Sequence, residues 1–313
     1  MHISTSRMIR ACALGVMLAS SFARAGSIPL HYDSTLEARG FPSPIVRVEL
    51  RGQPPARFLI DTGASIHTLA AWYVKAAGIQ AAASAGSARG STGQESAIRV
   101  ARQVDLALDN GHPLALAEAV VVDFPPMFEE LRIAGLLSPQ LFAPPGQAAV
   151  LDLRVPYLDI QPVQQAIDRL GIAPLPGARA CSDAESEFAN RAYSIHVFAL
   201  DREASVILDS GATGTVIAAD SAMAQALASR SVEGKHTQGL GGVPEANRQV
   251  PGVEIRRAGV PVTVDLSLGK SPGPDCGPDG LLGMDALRDC LLLLGESAPR
   301  VACTPPLSRS RGR

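Results

Sequence analysis

The chain has 313 residues, of which 46% are hydrophobic but only 4% aromatic, and its formal net charge is −2. Its core must therefore be built from Val, Leu, Ile and Ala. The nearly balanced charge argues against nucleic acid as a partner.

The first 25 residues have the layout of an export signal. Arg7 and Arg10 give a positive start, an apolar stretch runs from Ala11 to Phe22, and Ala23-Arg24-Ala25 precede Gly26. This is a small-x-small cleavage pattern behind an apolar run too short to span a bilayer. Residues 1–25 are expected to be removed, Cys12 with them, and the protein to be exported to a periplasm or beyond the cell. No later apolar run is long enough for a span, so no stable membrane insertion is expected.

The remaining elements follow in order. Ile45–Leu50 is rich in β-branched residues, Gly52-Gln53-Pro54-Pro55 predicts a turn, and residues 57–60 predict a second strand. That hairpin leads into FLIDTGASIHTLA around Asp61, with a helix expected over 70–77. Strands over 98–108 and 114–122 flank Asn110-Gly111, a strong hairpin-turn pair. AGLLSPQLF follows, with Gly135-Leu136-Leu137, then a strand over 149–153 and a helix over 163–170. Residues 171–191 are rich in Pro and Gly and then acidic, the composition of a linker.

The second half runs the same way. Residues 193–200, a turn at Asp201-Arg202 and residues 205–208 lead into VILDSGATGTVIA around Asp209. A helix is expected over 218–227 and strands over 250–255 and 260–266. DGLLGMDAL then supplies Gly280-Leu281-Leu282, and Cys290–Leu294 predicts a buried strand. Residues 307–313 form a basic tail. Asp61 and Gly135 are 74 residues apart, and Asp209 and Gly280 are 71 apart. Two matched elements at nearly one spacing predict a duplicated domain. The expected organisation is a signal over 1–25, a first lobe over 26–170, a linker over 171–191, a second lobe over 192–306, and the tail.

Four cysteines lie outside the signal: Cys181, Cys276, Cys290 and Cys303. In an exported chain they permit two disulfides in three pairings. Cys290 and Cys303 flank two short apolar runs joined by Gly295-Glu296-Ser297, so a hairpin would oppose them. The preferred pairing is Cys290 with Cys303 and Cys181 with Cys276. The cysteine and histidine spacings supply no zinc site, and no metal or other cofactor is expected. No Ser stands in a G-x-S-x-G elbow, and the Gly239–Gly242 stretch lacks the Lys-Ser or Lys-Thr of a phosphate loop. His67, the histidine nearest a motif, reads as a lining residue.

A single Asp-Thr-Gly or Asp-Ser-Gly is an ordinary turn; two with matched flanks are not. Each Asp would emerge at the rim of a sheet, and Gly lets another chain approach closely. Two such carboxylates brought together cannot both ionise easily, so they share a proton. One can then take a proton from water while the other donates to a carbonyl oxygen.

These loops and the Gly-Leu-Leu elements resemble the aspartic peptidases of the pepsin and retropepsin type. The resemblance implies an all-β, bilobal fold of two homologous β-barrel-like lobes with few short helices. It implies an aspartic endopeptidase whose polypeptide substrate lies in an inter-lobe cleft, with one chain sufficient for the active site. Asp61 and Asp209 match the catalytic pair, and Thr62, Gly63, Ser210 and Gly211 match the supporting loop positions. The family's flap would fall near Gly90 and Ser91 or near Gly241 and Gly242. Two departures stand out. The first Gly-Leu-Leu continues as Ser138-Pro139 and the second as Gly283-Met284-Asp285, so the two lobes are expected to pack differently there. Ala64 and Ala212 stand where many pepsin-type enzymes carry Ser, which removes a hydroxyl that favours ionisation. The expected working pH is therefore mildly acidic to neutral. The competing reading is a weak or inactive peptide-binding protein of the same fold.

Overall fold

The computed structural model describes residues 27–89, 95–182, 190–238, 244–270 and 276–305. The expected export signal, the flap positions Gly90, Ser91, Gly241 and Gly242, and the basic tail lie outside these residues. The described chain is mostly β, with few short helices. Among the described residues no helix is long and apolar enough to cross a membrane.

Two of the three sheets are copies of one plan. In the first, Ile45–Leu50 pairs with Gln53–Ile60, which runs parallel to Ile133–Leu137; Thr68–Ala70, Pro113–Val122, Glu95–Ala107 and Ala82–Arg89 follow. In the second, Ala192–Ala199 pairs with Arg202–Leu208, which runs parallel to Gly280–Leu282; Val216–Ala218, Val260–Gly269, Pro244–Arg257 and Val232–Gln238 follow. Ala192–Ala199 also pairs with the end of Pro244–Arg257, through Val197 and Arg257, and this closes the second lobe into a barrel. An isolated bridge between Val48 and Leu108 does the same in the first. The third sheet joins the halves, in the order Ile28–Pro29, Tyr157–Pro162, Gln147–Asp152, Cys290–Leu294 and Arg300–Cys303. Its all-apolar strand Cys290–Leu294 is buried throughout, as a strand covered on both faces requires.

Local chemistry moves some predicted boundaries. The first hairpin turns at Arg51-Gly52, with Gly52 at φ 71°, and the strand already begins at Gln53. Pro54 and Pro55 fit inside it because they stand near its start, where a missing N–H leaves little of the ladder unpaired; Arg132 Nη2 donates to Pro54 O at 2.5 Å. The matching turn is Leu200-Asp201, both at positive φ, one residue before the expected place. The second-half helix starts at Ala222 instead of 218, because Val216–Ala218 is a strand and the Ser221 hydroxyl caps the helix. Within residues 171–191, Arg179–Cys181 is an edge strand on Ala192–Ala199.

The cysteines pair as Cys181–Cys276 and Cys290–Cys303. The second bond joins directly opposed residues of a hairpin. Two disulfides fit an oxidising environment.

The Gly-Leu-Leu strands sit between two neighbours, and their glycines are sterically required. A Cβ on Gly135 would lie 2.0 Å from Thr68 O, and one on Gly280 would lie 2.1 Å from Val216 O. Both obstacles are backbone in a central strand, so neither can move alone. Gly135→Ala and Gly280→Ala should each destabilise the protein by about 3 kcal/mol or more. Urea unfolding checks this, with Gly295→Ala, whose Cβ would meet nothing nearer than 3.5 Å, losing far less.

Candidate active site

Strands Gln53–Ile60 and Arg202–Leu208 carry Asp61 and Asp209 out of the two cores. Each aspartate is held by its Gly-Leu-Leu strand: Asp61 N donates to Leu137 O at 2.9 Å and Asp209 N to Leu282 O at 3.0 Å. The next residues lock the lobes together. Thr62 Oγ1 donates to Leu208 O at 2.7 Å and accepts from Ser210 N at 2.9 Å. Ser210 Oγ donates to Ile60 O at 2.7 Å and accepts from Thr62 N at 3.1 Å. Both side chains are fully buried, and each hydroxyl uses its donor and an acceptor site.

The lock sets the carboxylates against each other. Gly63 N and Ala64 N donate to Asp61 Oδ1 at 2.9 and 3.0 Å. Gly211 N and Ala212 N donate to Asp209 Oδ1, both at 2.9 Å. A Cβ on Gly63 would lie 2.4 Å from Asp209 Cγ, and one on Gly211 would lie 2.4 Å from Asp61 Cγ. Each glycine is thus the floor on which the opposite carboxyl rests. The two carboxyls share a hydrogen bond, and both pKa values are raised above the ordinary carboxylate range. Burial is the main cause for each. For Asp209, which rises well above that range, the charge of Asp61 adds to it. For Asp61, the Ala64 N–H and the bond with Asp209 oppose it. The pair therefore titrates as one unit and can hold a single shared proton.

The residues behind the loops differ between lobes. Six residues after each aspartate stand His67 and Thr215. Ser138 N donates to His67 Nδ1 at 3.2 Å, and Gly283 N donates to Thr215 Oγ1 at 3.3 Å. Three residues after each Gly-Leu-Leu stand Gln140 and Asp285. Gln140 Nε2 donates to Ala64 O at 3.0 Å and Arg191 O at 2.7 Å. Asp285 accepts from Thr215 Oγ1 at 2.7 Å and Thr215 N at 3.1 Å, and burial raises its pKa. Sequence reasoning passed over Gln140 and noted Asp285 only as part of a departure. The signal was their common register after the Gly-Leu-Leu elements. The differing helical turns, 3₁₀ over Pro139–Phe142 and α over Met284–Leu287, agree with that departure. Among the described residues no cluster of three or more His, Cys, Asp or Glu is placed to hold a metal ion.

Residues 46–138, which include Asp61 and Gly135-Leu136-Leu137, match a family model described as aspartyl protease. The match covers most of the first lobe and ends before Asp209. Two solved structures are similar to this chain. The crystal structure of Basic 7S globulin from soybean is 11% identical, with 89% of this chain and 95% of that chain covered and a TM-score of 0.46. The EIAV protease complexed with the inhibitor HBY-793 is 21% identical, with 35% of this chain and 92% of that chain covered and a TM-score of 0.25. No curated protein matches the sequence.

His67 gives the first lobe an acid-labile element. The ring is buried, accepts from Ser138 N and packs against Phe142 at 4.7 Å between centroids. Burial lowers its pKa to about 4, so the folded protein keeps it neutral. Its contribution to stability is complete above the unfolded value near 6.5 and is lost as pH falls toward 4. Between pH 7 and pH 4.5 this costs about 2 kcal/mol. His67→Asn keeps an acceptor without titrating there. Urea unfolding at the two pH values should show wild type losing more stability than the variant by that amount; equal losses would remove His67 as the cause.

Proposed function

We propose that this chain is an aspartic endopeptidase that hydrolyses polypeptides by activating water between Asp61 and Asp209. The observation that carries the reading is the locked pair itself: two buried carboxyls, each resting on the other loop's glycine, sharing one proton. A structural turn needs neither the second carboxyl nor the shared proton, and burying two like charges together costs free energy that a packing role does not require.

The chemistry follows from the two environments. Asp61, the better supported as an anion, takes a proton from a water as that water's oxygen attacks the carbonyl carbon. Asp209, protonated, donates to the carbonyl oxygen. The tetrahedral intermediate then collapses as its C–N bond breaks. The proton held by Asp61 passes to the leaving nitrogen, a proton from the intermediate's hydroxyl returns to Asp209, and an acid and an amine are released. We place the substrate as an extended strand in a cleft between the lobes, held by backbone hydrogen bonds. One chain supplies both carboxyls, so a monomer suffices. The export pattern over 1–25 and the two disulfides support action in a periplasm or outside the cell.

Activity requires the singly protonated pair. Because both pKa values are raised, that state extends to higher pH than for unperturbed carboxyls. The pH–rate profile with unfolded casein should peak in the mildly acidic to neutral range, and a peak at stomach-like acidity would contradict the assignment. Asp61→Asn and Asp209→Asn should each lower kcat roughly 10³-fold or more, with binding of a statine-type transition-state mimic weakened as well. If wild type cleaves casein no better than these variants, the protein is a binder of this fold and the peptidase reading fails.

A further inference from the structure

Arg257 is a charged side chain in a place built for an apolar one. It pairs with Val197, which stands opposite Ala204 in its hairpin. In the first lobe Val48, opposite Ala56, is bridged to Leu108. Arg257 and Leu108 are therefore the same position in the two lobes. Leu108 is an ordinary core residue, 2% exposed. Arg257 is 0% exposed, and its Nη2 is buried without a partner. A buried guanidinium is costly unless hydrogen bonds and opposite charges compensate it, and the equivalent position of the first lobe carries leucine.

What Arg257 holds is the single turn Met284–Leu287. Its Nε donates to Ala286 O, and its Nη1 donates to Val260 O at 3.3 Å. A turn of four residues does not persist on its own, and its N-cap, Gly283, offers no side chain. Yet the loop of Asp209 hangs from it. Met284 N donates to Ala212 O at 2.9 Å and Asp285 N to Thr213 O at 3.3 Å, while the Asp285 carboxyl grips Thr215. Ala212, held through its carbonyl, gives its own N–H to Asp209 Oδ1. The first lobe has no counterpart of this clamp at Leu108; there the Gln140 amide reaches the loop directly.

We propose that Arg257 is a positioning residue for Asp209, acting through the turn Met284–Leu287 on the Ala212 N–H that supports the carboxyl. The inference rests on the peptidase reading for its consequence in rate, but not for its consequence in titration. The charged groups near Arg257 are Asp285 and Asp289, Asp265 lies near Asp285, and the charged group facing Asp209 is Asp61. Loosening the turn weakens the Ala212 bond, which favours the ionised carboxyl, so Asp209 should hold its proton to higher pH.

The test compares wild type, Arg257→Leu and Arg257→Lys. Carboxyl carbon NMR titration follows Asp209, casein cleavage gives kcat, KM and the pH profile, and thermal melts report folding. Arg257→Leu, which copies the first lobe, should titrate upward at Asp209, lose about tenfold in kcat with KM little changed, and move its alkaline limb upward. Arg257→Lys, which keeps the charge and one donor nitrogen, should recover part of each effect and reports alone if the leucine variant does not fold. A folded variant that melts lower but leaves the Asp209 titration unchanged overturns the proposal. If wild type shows no cleavage that depends on Asp61, the peptidase reading falls, and the NMR titration still decides the role of Arg257.

Discussion

The exchange of hydrogen bonds between Thr62 and Ser210 is the interaction on which the rest of this structure depends. Four bonds cross between segments 146 to 150 residues apart. All are buried, so none competes with water, and each contributes on the order of 1 kcal/mol. Their larger effect is geometric. They fix the backbone on either side of the pseudo-two-fold axis, so Gly63 faces Asp209 and Gly211 faces Asp61 at distances no other residue permits. Two carboxyls in such a place repel unless they share a proton. The N–H pairs of Gly63 with Ala64 and Gly211 with Ala212 make the remaining charge tolerable.

The same symmetry interlocks the lobes one step further out. Four residues after each aspartate, Ser65 O accepts from Arg191 N, and Thr213 Oγ1 donates to Gly40 O. Arg191 directly precedes the first strand of the second hairpin, and Gly40 lies just ahead of the first strand of the first. Each loop therefore holds the start of the opposite lobe. Behind the loops the symmetry lapses. His67 and Gln140 are neutral supports in the folded first lobe, whereas in the second the Asp285 carboxyl holds Thr215 behind the loop. Identical frames with different backing can push two like groups apart in proton affinity, which a pair dividing acid and base roles requires.

The parts legible in sequence were those where sterics or pattern leave little choice. Asp, Thr or Ser, and Gly recur because the lock accepts only a small hydroxyl side chain and then no side chain at all. Gly135 and Gly280 recur because the crossing backbone leaves no room for a Cβ. The repeat spacing therefore exposed the two-lobe plan and the site together. Less was legible where tertiary pairing overrides local preference. Ala218 reads as the start of a helix until Gly269 pairs with it. The third sheet sets Leu291–Leu294 beside Ala149–Asp152, a neighbour that no local pattern announces. Gln140 was marked only by its register after Gly-Leu-Leu, since its amide serves carbonyls that only the folded loop and Arg191 bring together.

The two lobes also cover their matching outer faces by different means, which bears on where the protein can work. In the first lobe, Leu59 and Leu136 are packed under Leu36, Met127 and Phe128, supplied by the helices Ser34–Ala38 and Pro126–Glu130. At the equivalent places in the second lobe, Ile207 and Leu281 pack against Cys181 and Cys276, with Ala212 and Val216 beside them. A disulfide thus stands where the first lobe spends two helices. It closes a loop of 95 residues, long enough to remove about 4–5 kcal/mol of chain entropy from the unfolded state in the loop-closure model. It also presses the edge strand Arg179–Cys181 onto the face that lies against Ala212, one residue beyond the Gly211 floor. The first loop's cover needs only burial to form. The second loop's cover includes a bond that forms in an oxidising environment, beside the pairing of Arg179–Cys181 with Ala192–Ala199 and the donation of Arg179 Nη2 to Cys276 O at 2.7 Å.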